Sequence, residues 1–235
     1  MMTIMLEVDR LDVYIERTQI LRGVSLALAK GQMAGLVGRN GAGKTTLMRA
    51  IMGLIRPAQG SVRIDGNDVT TAPPHGRARL AVGYMPEDRR LIPELSVEEN
   101  LLVPAWATRN PNARSRLARV YELIPEVAAF APRRALQLSG GQQKLVALGR
   151  ALMAGEHLML LDEPFEGIAP ALAQRLVEVL HAIKAQGLSI LLSESRSSLE
   201  NLESTPPRLC SNSARFTSSR SRCQDLTTLP PCSRG

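Results

Sequence analysis

Aromatic side chains and long apolar runs are both scarce in this sequence. Aromatic residues make up 3% of its 235 positions, too few for the stacking platforms with which proteins bind single-stranded nucleic acid. No apolar run approaches the ~18 residues that are needed to cross a bilayer. Residues 1–9 also lack the basic and apolar regions of a secretory signal. We therefore expect a cytoplasmic protein that meets a membrane only through its partners.

Cysteine is absent until the last part of the chain, where Cys210, Cys223 and Cys232 occur. Their spacing matches no zinc-binding pattern, and thiols in the cytoplasm stay reduced, so we assign them no function. The net charge is +7, but the Lys and Arg residues are scattered along the chain. Because this scatter is combined with so few aromatics, we predict no nucleic-acid partner.

The order of the apolar patterns predicts an α/β fold. Alternation predicts antiparallel edge strands at residues 6–13 and 20–29, and a strand with a tight turn at 60–66. Short apolar runs predict further strands at 33–37, 80–85, 158–161 and 189–192. Helical spacing predicts helices at 46–54, 114–123 and 171–185. Ser96 and Glu99 form the capping box of another helix, which opens a small helical insertion.

The composition changes abruptly near the end of the chain. Residues 193–235 hold most of the serines and all three cysteines but no lysine, and they show no apolar period. Such a segment buries too little surface to offset the entropy lost on ordering it. Two interpretations stay open, a disordered tail and a sequence in the wrong reading frame.

Residues 38–45 read G-R-N-G-A-G-K-T, a full match to the phosphate loop G-x-x-x-x-G-K-[ST] between a predicted strand and a predicted helix. Its glycines let backbone N–H groups point at phosphate oxygens. Lys44 would place a positive charge between the β- and γ-phosphates, and the Thr45 hydroxyl would bind Mg²⁺. A glycine-rich turn with an incidental lysine would not match every position in this context. The predicted nucleotide-binding residues are Gly38, Arg39, Asn40, Gly41, Ala42, Gly43, Lys44, Thr45 and Thr46.

Two carboxylates, Asp162 and Glu163, end the predicted buried strand at 158–161. In phosphate-loop NTPases an aspartate at such a strand end holds Mg²⁺, which suits Asp162. Glu163 could act as the general base that polarises the attacking water. Asp-Glu after an apolar run is common by chance, so the pair gains weight only from the phosphate loop. Together the two motifs predict an enzyme that hydrolyses a nucleoside triphosphate with Mg²⁺.

Residues 138–142 read L-S-G-G-Q and lie shortly before the acidic strand. With the other two motifs in this order, the chain resembles the ABC ATPases over about residues 4–195. The resemblance implies a P-loop NTPase core with a parallel sheet, an antiparallel β edge subdomain and a helical subdomain at about 96–138. It also implies that two subunits sandwich two ATPs, so that each signature motif caps the nucleotide of the other subunit. The signature residues are Leu138, Ser139, Gly140, Gly141 and Gln142.

Two further segments are similar to the ATPases of branched-chain amino-acid importers. Residues 166–170 read E-G-I-A-P where that group has the dimer-contact loop E-G-L-A-P, and residues 97–100 read V-E-E-N, which begins the subdomain where membrane subunits dock. The implied assembly is a homo- or heterodimer of ATPase subunits with two transmembrane permease subunits at the cytoplasmic face of the membrane. A substrate-binding protein outside the cytoplasm would be an indirect partner.

Three other functions stay open beside the import of branched-chain amino acids. An importer of urea or a related amide would carry the same motifs. An ABC ATPase that acts on DNA or ribosomes is disfavoured, because those proteins usually carry tandem ATPase domains or long coiled-coil insertions. An inactive, truncated product is favoured only by the unusual composition of residues 193–235.

Two positions of the nucleotide site depart from the family pattern. Glu87 stands where the family has a Mg²⁺-sensing glutamine, and its oxygen could still reach the metal through water. The surrounding P-E-D-R-R is similar to the P-E-G-R-R of the amino-acid importers. The aromatic residue that stacks on adenine in the family falls near Tyr14 or Ile15, and the spacing from Ser25 places it at Ile15. We predict the neighbouring aromatic, Tyr14, as the adenine contact, with an ordinary edge-strand residue as the alternative.

The end of the ATPase domain departs most strongly from the family pattern. Residues 193–195, Ser-Glu-Ser, occupy the place of the switch histidine, and neither Glu194 nor Ser195 supplies a comparable donor to the γ-phosphate. Nothing after residue 195 resembles the family's closing strands. We predict an ATPase domain at 1–195 and an aberrant tail at 196–235 that arises from a frameshift or a truncated gene. The alternative is a solvated, lineage-specific tail; an ATPase core short of its last strands would be unstable or inactive.

Overall fold

The structure is a computed structural model that describes residues 3–195 and 212–215. Its strands form two sheets, one antiparallel and one parallel. The strands in chain order are β1 (Ile4–Ile15), β2 (Thr18–Ala29), β3 (Met33–Val37), β4 (Gln59–Ile64), β5 (Asn67–Asp68), β6 (Val82–Met85), β7 (Leu158–Asp162), β8 (Ser189–Glu194) and β9 (Asn212–Arg215). The helices are α1 (Lys44–Ile51), α2 (Pro74–Ala78), α3 (Val97–Thr108), α4 (Ala113–Leu123), α5 (Pro125–Phe130), α6 (Gly140–Ala154) and α7 (Pro170–Ala185). None of the helices in the described part is long and apolar enough to cross a membrane.

The antiparallel sheet has the strand order β2-β1-β4-β5. In the middle of β1, Val8 lies opposite Leu26 of β2 on one side and Val62 of β4 on the other. All three side chains are buried, because alternate residues of each strand face the core while those between them face solvent. The predicted antiparallel edge of the fold is confirmed.

The second sheet is parallel, with the strand order β6-β7-β8-β3-β9. Every residue of β7 and β8 is buried, as expected for strands that are covered on both faces. The carboxyl ends of parallel strands lie at the same edge of a sheet. Val37, Asp162 and Glu194, which end β3, β7 and β8, therefore come together with the loops that follow them.

The core has two parts, one on each face of the parallel sheet. One part joins that sheet to α1 and the antiparallel sheet, through residues such as Leu47, Val62 and Leu160. The other joins it to α3–α7, through residues such as Leu101, Leu148 and Met159. Alternate residues of β7 thus pack into different parts of the core, which fixes the position of its acidic end.

Helices α3–α5 follow the capping box that the sequence predicts. The Ser96 hydroxyl accepts from the Glu99 N–H at 3.1 Å, and the Ser96 N–H donates to the Glu99 carboxylate at 2.7 Å. Asn100, in the segment V-E-E-N, is fully buried and exchanges hydrogen bonds with the backbone of Ile92. That asparagine therefore holds the loop before α3 against the helix.

Several element boundaries differ from the predictions. Helix α1 ends at Ile51 rather than residue 54, because Gly53 adopts φ 72° and the Leu54 N–H turns back to the Arg49 carbonyl at 2.8 Å. Strand β8 runs two residues further than predicted, to Glu194.

The predicted tail contributes one unpredicted strand, β9, in which Ser213 lies opposite Gly35 of β3. Its composition carried no apolar period, so no strand was expected there. Residues 196–211 and 216–235, including the three cysteines, lie outside the described residues. The prediction of an aberrant tail stays a prediction.

Arg77 is a buried cation that holds the carboxyl end of α1. Its side chain is 1% exposed, and its guanidinium donates to the carbonyls of Ala50 and Ile51 and, at 2.6 Å and 3.3 Å, to those of Val69 and Thr70. The carboxyl end of a helix leaves carbonyls without partners and carries partial negative charge, so it favours a cation. Burial nevertheless lowers the pKa of Arg77.

Arg77→Met is expected to lower the stability by about 3 kcal/mol, since several buried carbonyls lose their donors together. For a domain of this size we expect a fall in Tm of about 10 °C, measured by circular dichroism on heating. Arg79→Met, two residues on at an exposed position, is the control and should shift Tm little. An unchanged Tm in Arg77→Met would mean that the carbonyls find other donors.

Candidate active site

The phosphate loop leaves the carboxyl end of β3 and enters α1. The Gly38 N–H donates to the Glu194 carbonyl at 3.2 Å, which ties the loop to β8. Gly41 and Gly43 adopt φ 78° and 94°, a region that side chains disfavour. A Cβ on Gly43 would also lie 2.8 Å from Leu21 Cδ2. The sequence therefore needs glycine here to bring the loop onto the first turn of α1, whose N–H groups suit an anion.

Lys44 and Glu163 form a buried ion pair at the mouth of this loop. Lys44 Nζ lies 3.0 Å from Glu163 Oε1, and the two side chains are 3% and 8% exposed. The same ammonium donates to the carbonyls of Gly38 at 3.0 Å and Arg39 at 3.1 Å. These three contacts of the cation are all with oxygen acceptors, so a phosphate oxygen could replace the carboxylate as its partner.

Asp162 and Thr45 meet beside this pair. The Thr45 hydroxyl donates to Asp162 Oδ1 at 3.3 Å, and the Ser193 hydroxyl donates to the same oxygen at 2.6 Å. Asp162 is fully buried, and among the described residues its Oδ2 has no hydrogen-bond partner. Burial raises the pKa of Asp162, and the bonds from Ser193 and Thr45 oppose that rise. A buried carboxylate oxygen without a donor, next to a hydroxyl, fits a hard cation such as Mg²⁺.

The loop after β7 is held by hydrogen bonds to the carboxyl end of β8. The Glu163 N–H lies within hydrogen-bond distance of the Ser193 carbonyl, at 3.1 Å, and of the Ser193 hydroxyl, at 3.2 Å. The Phe165 N–H donates to Glu194 Oε1 at 2.9 Å. Glu194, one of the residues 193–195 that stand where the resemblance places a switch histidine, is fully buried. Its carboxylate accepts from the backbone two residues after Glu163, a contact that the sequence did not suggest.

The signature residues begin α6. Ser139 is its N-cap and accepts from the Gln142 N–H at 3.3 Å, while the Ser139 N–H donates to the Gln142 side chain at 3.0 Å. Ser139 and Gly140 are exposed. In the described part of the chain no hydrogen bond or ion pair joins these residues to the phosphate loop. Their predicted action on a nucleotide held by a second subunit stays a prediction.

Two predicted site residues lie outside this cluster of contacts. Tyr14 stands near the end of β1 and is 45% exposed. Glu87 follows β6 and is exposed, and across residues 3–195 no hydrogen bond or ion pair connects it to Thr45 or Asp162. Their roles as adenine contact and metal ligand stay predictions.

Sequence reasoning missed two residues of the site, Ser193 and Lys144. Ser193 is a buried hydroxyl at the carboxyl end of β8, and a polar residue at the end of an apolar strand is a usable signal. Lys144 lies on the buried face of α6 with Ala147 and Leu148, and its side chain reaches the backbone of Glu163. A lone lysine in a helix face that is otherwise apolar is the corresponding signal.

Comparisons with known proteins agree with this geometry. The ABC transporter family model matches residues 21–166. The chain is 36% identical to the high-affinity branched-chain amino acid transport ATP-binding protein BraG of Pseudomonas aeruginosa, over 81% of this chain and 82% of that protein. It is 33% identical to the lipopolysaccharide export system ATP-binding protein LptB of Escherichia coli K12, over 75% of this chain and 74% of that one.

Solved structures of ATP-binding cassettes resemble the fold of this chain. A nucleotide-free ATP-binding cassette from an ABC transporter superposes with a TM-score of 0.74 and 27% identity, covering 86% of this chain and 84% of the other. The ADP conformation of another such cassette gives a TM-score of 0.71 and 28% identity, covering 82% of each chain. With the phosphate loop, the acidic pair and the signature helix in place, this chain belongs to the ABC transporter family of ATP-binding proteins.

Proposed function

We propose that this chain is the ATP-binding and ATP-hydrolysing subunit of an ABC importer for branched-chain amino acids. The observation that carries the ATPase part is the meeting of Lys44, Thr45, Asp162 and Glu163 at one edge of the parallel sheet. The similarity to BraG, and to a probable LivF of Archaeoglobus fulgidus at 32% identity over 81% of each chain, supports the substrate class.

The chemistry follows from what each side chain can do. Lys44 leaves Glu163 and donates to the phosphates of ATP, which frees the carboxylate. Glu163 then accepts a proton from the attacking water as general base. Bound Mg²⁺, held by the Thr45 hydroxyl and the Asp162 carboxylate, would neutralise charge on the phosphates. Most of the catalysis is therefore positioning and charge neutralisation by these side chains.

The proposed assembly contains two ATPase subunits and two permease subunits. Exposed Ser139 and Gly140 at the start of α6 suit contact with a nucleotide on a second subunit, because the N-terminus of a helix offers N–H groups to an anion. The segment 166–170 is proposed as the dimer contact, and the permease subunits place the chain at the cytoplasmic face of the membrane. A homodimer and a heterodimer fit these observations equally.

The import assignment is tested by reconstitution. The chain, purified with its two permease subunits and a substrate-binding protein, should drive MgATP-dependent uptake of labelled leucine into proteoliposomes. Urea uptake in the same assay would favour the amide alternative. The similarity to LptB supports a second candidate, ATP-driven lipopolysaccharide export, which predicts co-purification with lipopolysaccharide and no leucine uptake. If no permease subunit co-purifies, the transport proposal is wrong.

Asp162→Asn is expected to lose most of the Mg²⁺ dependence of ATP binding. The amide keeps an acceptor for Ser193 but removes the negative charge, which should cost the metal complex about 2 kcal/mol, or roughly thirtyfold in Kd. Titration with a fluorescent ATP analogue, with Mg²⁺ and with EDTA, measures the difference. Asp9→Asn, on β1 with a half-exposed side chain, is the control. An unchanged Mg²⁺ effect in Asp162→Asn would remove Asp162 from the metal site.

A further inference from the structure

Lys144 contacts the loop of the proposed general base from the signature helix. We propose that Lys144 is a positioning residue, whose ammonium group fixes the peptide of Glu163 and so aims the side chain of that base. The inference rests on the proposed ATPase function and concerns the same site. It assigns a role to a residue that belongs to none of the three sequence motifs.

The contacts of Lys144 place it between two functional segments. Its side chain is 2% exposed, and Nζ donates to the carbonyl of Glu163 at 2.9 Å and to the carbonyl of Glu166. The first carbonyl belongs to Glu163, the proposed general base. The second belongs to Glu166, the first residue of the proposed dimer contact at 166–170. One ammonium group therefore ties both segments to α6.

The backbone of Glu163 needs such support. It adopts φ 48°, a left-handed conformation that costs a residue with a side chain about 1–2 kcal/mol. Conformations of this kind persist only where surrounding contacts determine them. Ser193 holds the N–H of Glu163 and Lys144 holds its carbonyl. Because both ends of the residue are fixed, the side chain is directed at Lys44, 3.0 Å away.

Three carboxylates around Lys144 favour its ammonium form against the cost of burial. Burial lowers the pKa of Lys144 and the nearby charge of Arg89 also lowers it, whereas the carboxylates of Glu194, Glu166 and Glu163 oppose that change. Glu194 also accepts from the Phe165 N–H at 2.9 Å. The loop 163–166 is thus held by a cation from α6 on one side and an anion from β8 on the other.

This arrangement also predicts how the two sites of a dimer communicate. Lys144 lies in the second turn of the helix that starts with Gly140. A helix moves as a rigid unit, so a displacement of the signature residues on ATP contact would reach the carbonyl of Glu163 through one side chain.

Hydrogen exchange measured by mass spectrometry tests the positioning without any need for activity. In Lys144→Met we expect exchange of the segment 163–167 to rise about tenfold, as lost charge-assisted hydrogen bonds allow local opening. Lys144→Arg, which keeps the charge and donors, should restore most of the protection. Should Lys144→Met not fold, Lys144→Gln, with a shorter chain and one amide donor group, replaces it. Equal exchange in the variant and the wild type would overturn the inference.

A matched control lies on the same helix. Arg150 donates to the carbonyls of Arg89 and Arg90. It therefore ties the loop after β6 to α6, whereas Lys144 ties the loop after β7 to the same helix. Arg150→Met should raise exchange near residues 88–91 and leave 163–167 as in the wild type. If Lys144→Met and Arg150→Met raise exchange equally throughout the protein, Lys144 is a general stability residue and the inference is wrong.

Steady-state kinetics supply the second measurement. Lys144→Met should lower kcat by roughly ten- to a hundredfold, since a small misplacement of a catalytic group has effects of this size. KM and the Kd for an ATP analogue should stay within about twofold, because the phosphate loop is untouched. A parallel rise in KM would contradict a positioning role. A wild-type chain that neither binds nor hydrolyses MgATP would refute the proposed function, while the exchange result would still decide the position of the Glu163 backbone.

Discussion

Glu163→Gln is expected to lower kcat for ATP by about a hundredfold or more, the usual contribution of a general base. ATP affinity should rise at the same time. In the wild type Lys44 Nζ lies 3.0 Å from the Glu163 carboxylate, and a neutral amide holds that cation less strongly, so it is more available to phosphate. Steady-state hydrolysis and titration with a fluorescent ATP analogue measure the two effects, and size-exclusion chromatography with MgATP should detect a trapped dimer.

Glu178→Gln is the control for this variant. Glu178 lies on α7 with its side chain 52% exposed, and within residues 3–195 its ion-pair partner is Arg175, so its replacement should leave hydrolysis unchanged. Normal turnover by Glu163→Gln would mean that another group activates the water. Weaker rather than tighter ATP binding would mean that the Lys44–Glu163 pair does not compete with the nucleotide.

Lys44→Met should weaken ATP binding by about a hundredfold, because charge-assisted hydrogen bonds to phosphate contribute about 3 kcal/mol in total. It should also destabilise the nucleotide-free protein by about 3 kcal/mol, since Glu163 is then buried without its cation. Equilibrium titration and urea denaturation measure the two quantities separately. ATP affinity close to the wild-type value would remove Lys44 from the nucleotide site.

The double variant Lys44→Met/Glu163→Gln separates these two effects. A neutral pair no longer leaves a buried charge, so the stability should return toward that of the wild type. ATP binding should stay weak, because the cation is still missing. If stability does not recover, the loss in Lys44→Met comes from the Gly38 and Arg39 carbonyls that Lys44 also contacts.

The sequence was informative where physical requirements restrict the residue types. Only glycine tolerates φ 94° at Gly43 with Leu21 so close, and a carboxylate after an apolar strand must lie at the carboxyl edge of a parallel sheet. The phosphate loop, the acidic pair and the start of α3 at Ser96 could therefore be located from local patterns. The antiparallel edge also followed from simple alternation.

Contacts between distant parts of the chain could not be predicted in this way. Lys144 and Glu163 are nineteen positions apart, and Glu194 reaches Phe165 across the ends of two strands. Local patterns give the element in which each residue lies but not the rotation of α6 or the register of β8. The left-handed backbone of Glu163 likewise depends on these contacts, because nothing in its own residue type favours it.

Arg77 has an electrostatic consequence beyond its contacts. Helix α1 contains eight residues, so the guanidinium at its carboxyl end lies about 12 Å along the axis from the phosphate loop. In a protein interior with an effective dielectric constant of about 20, a charge at that distance attracts each negative charge by about 1 kcal/mol. Arg77 neutralises the partial negative charge at the carboxyl end of α1. The electrostatic potential of the helix at a triphosphate on the phosphate loop is therefore more positive. A buried residue thus contributes to the field that attracts the nucleotide.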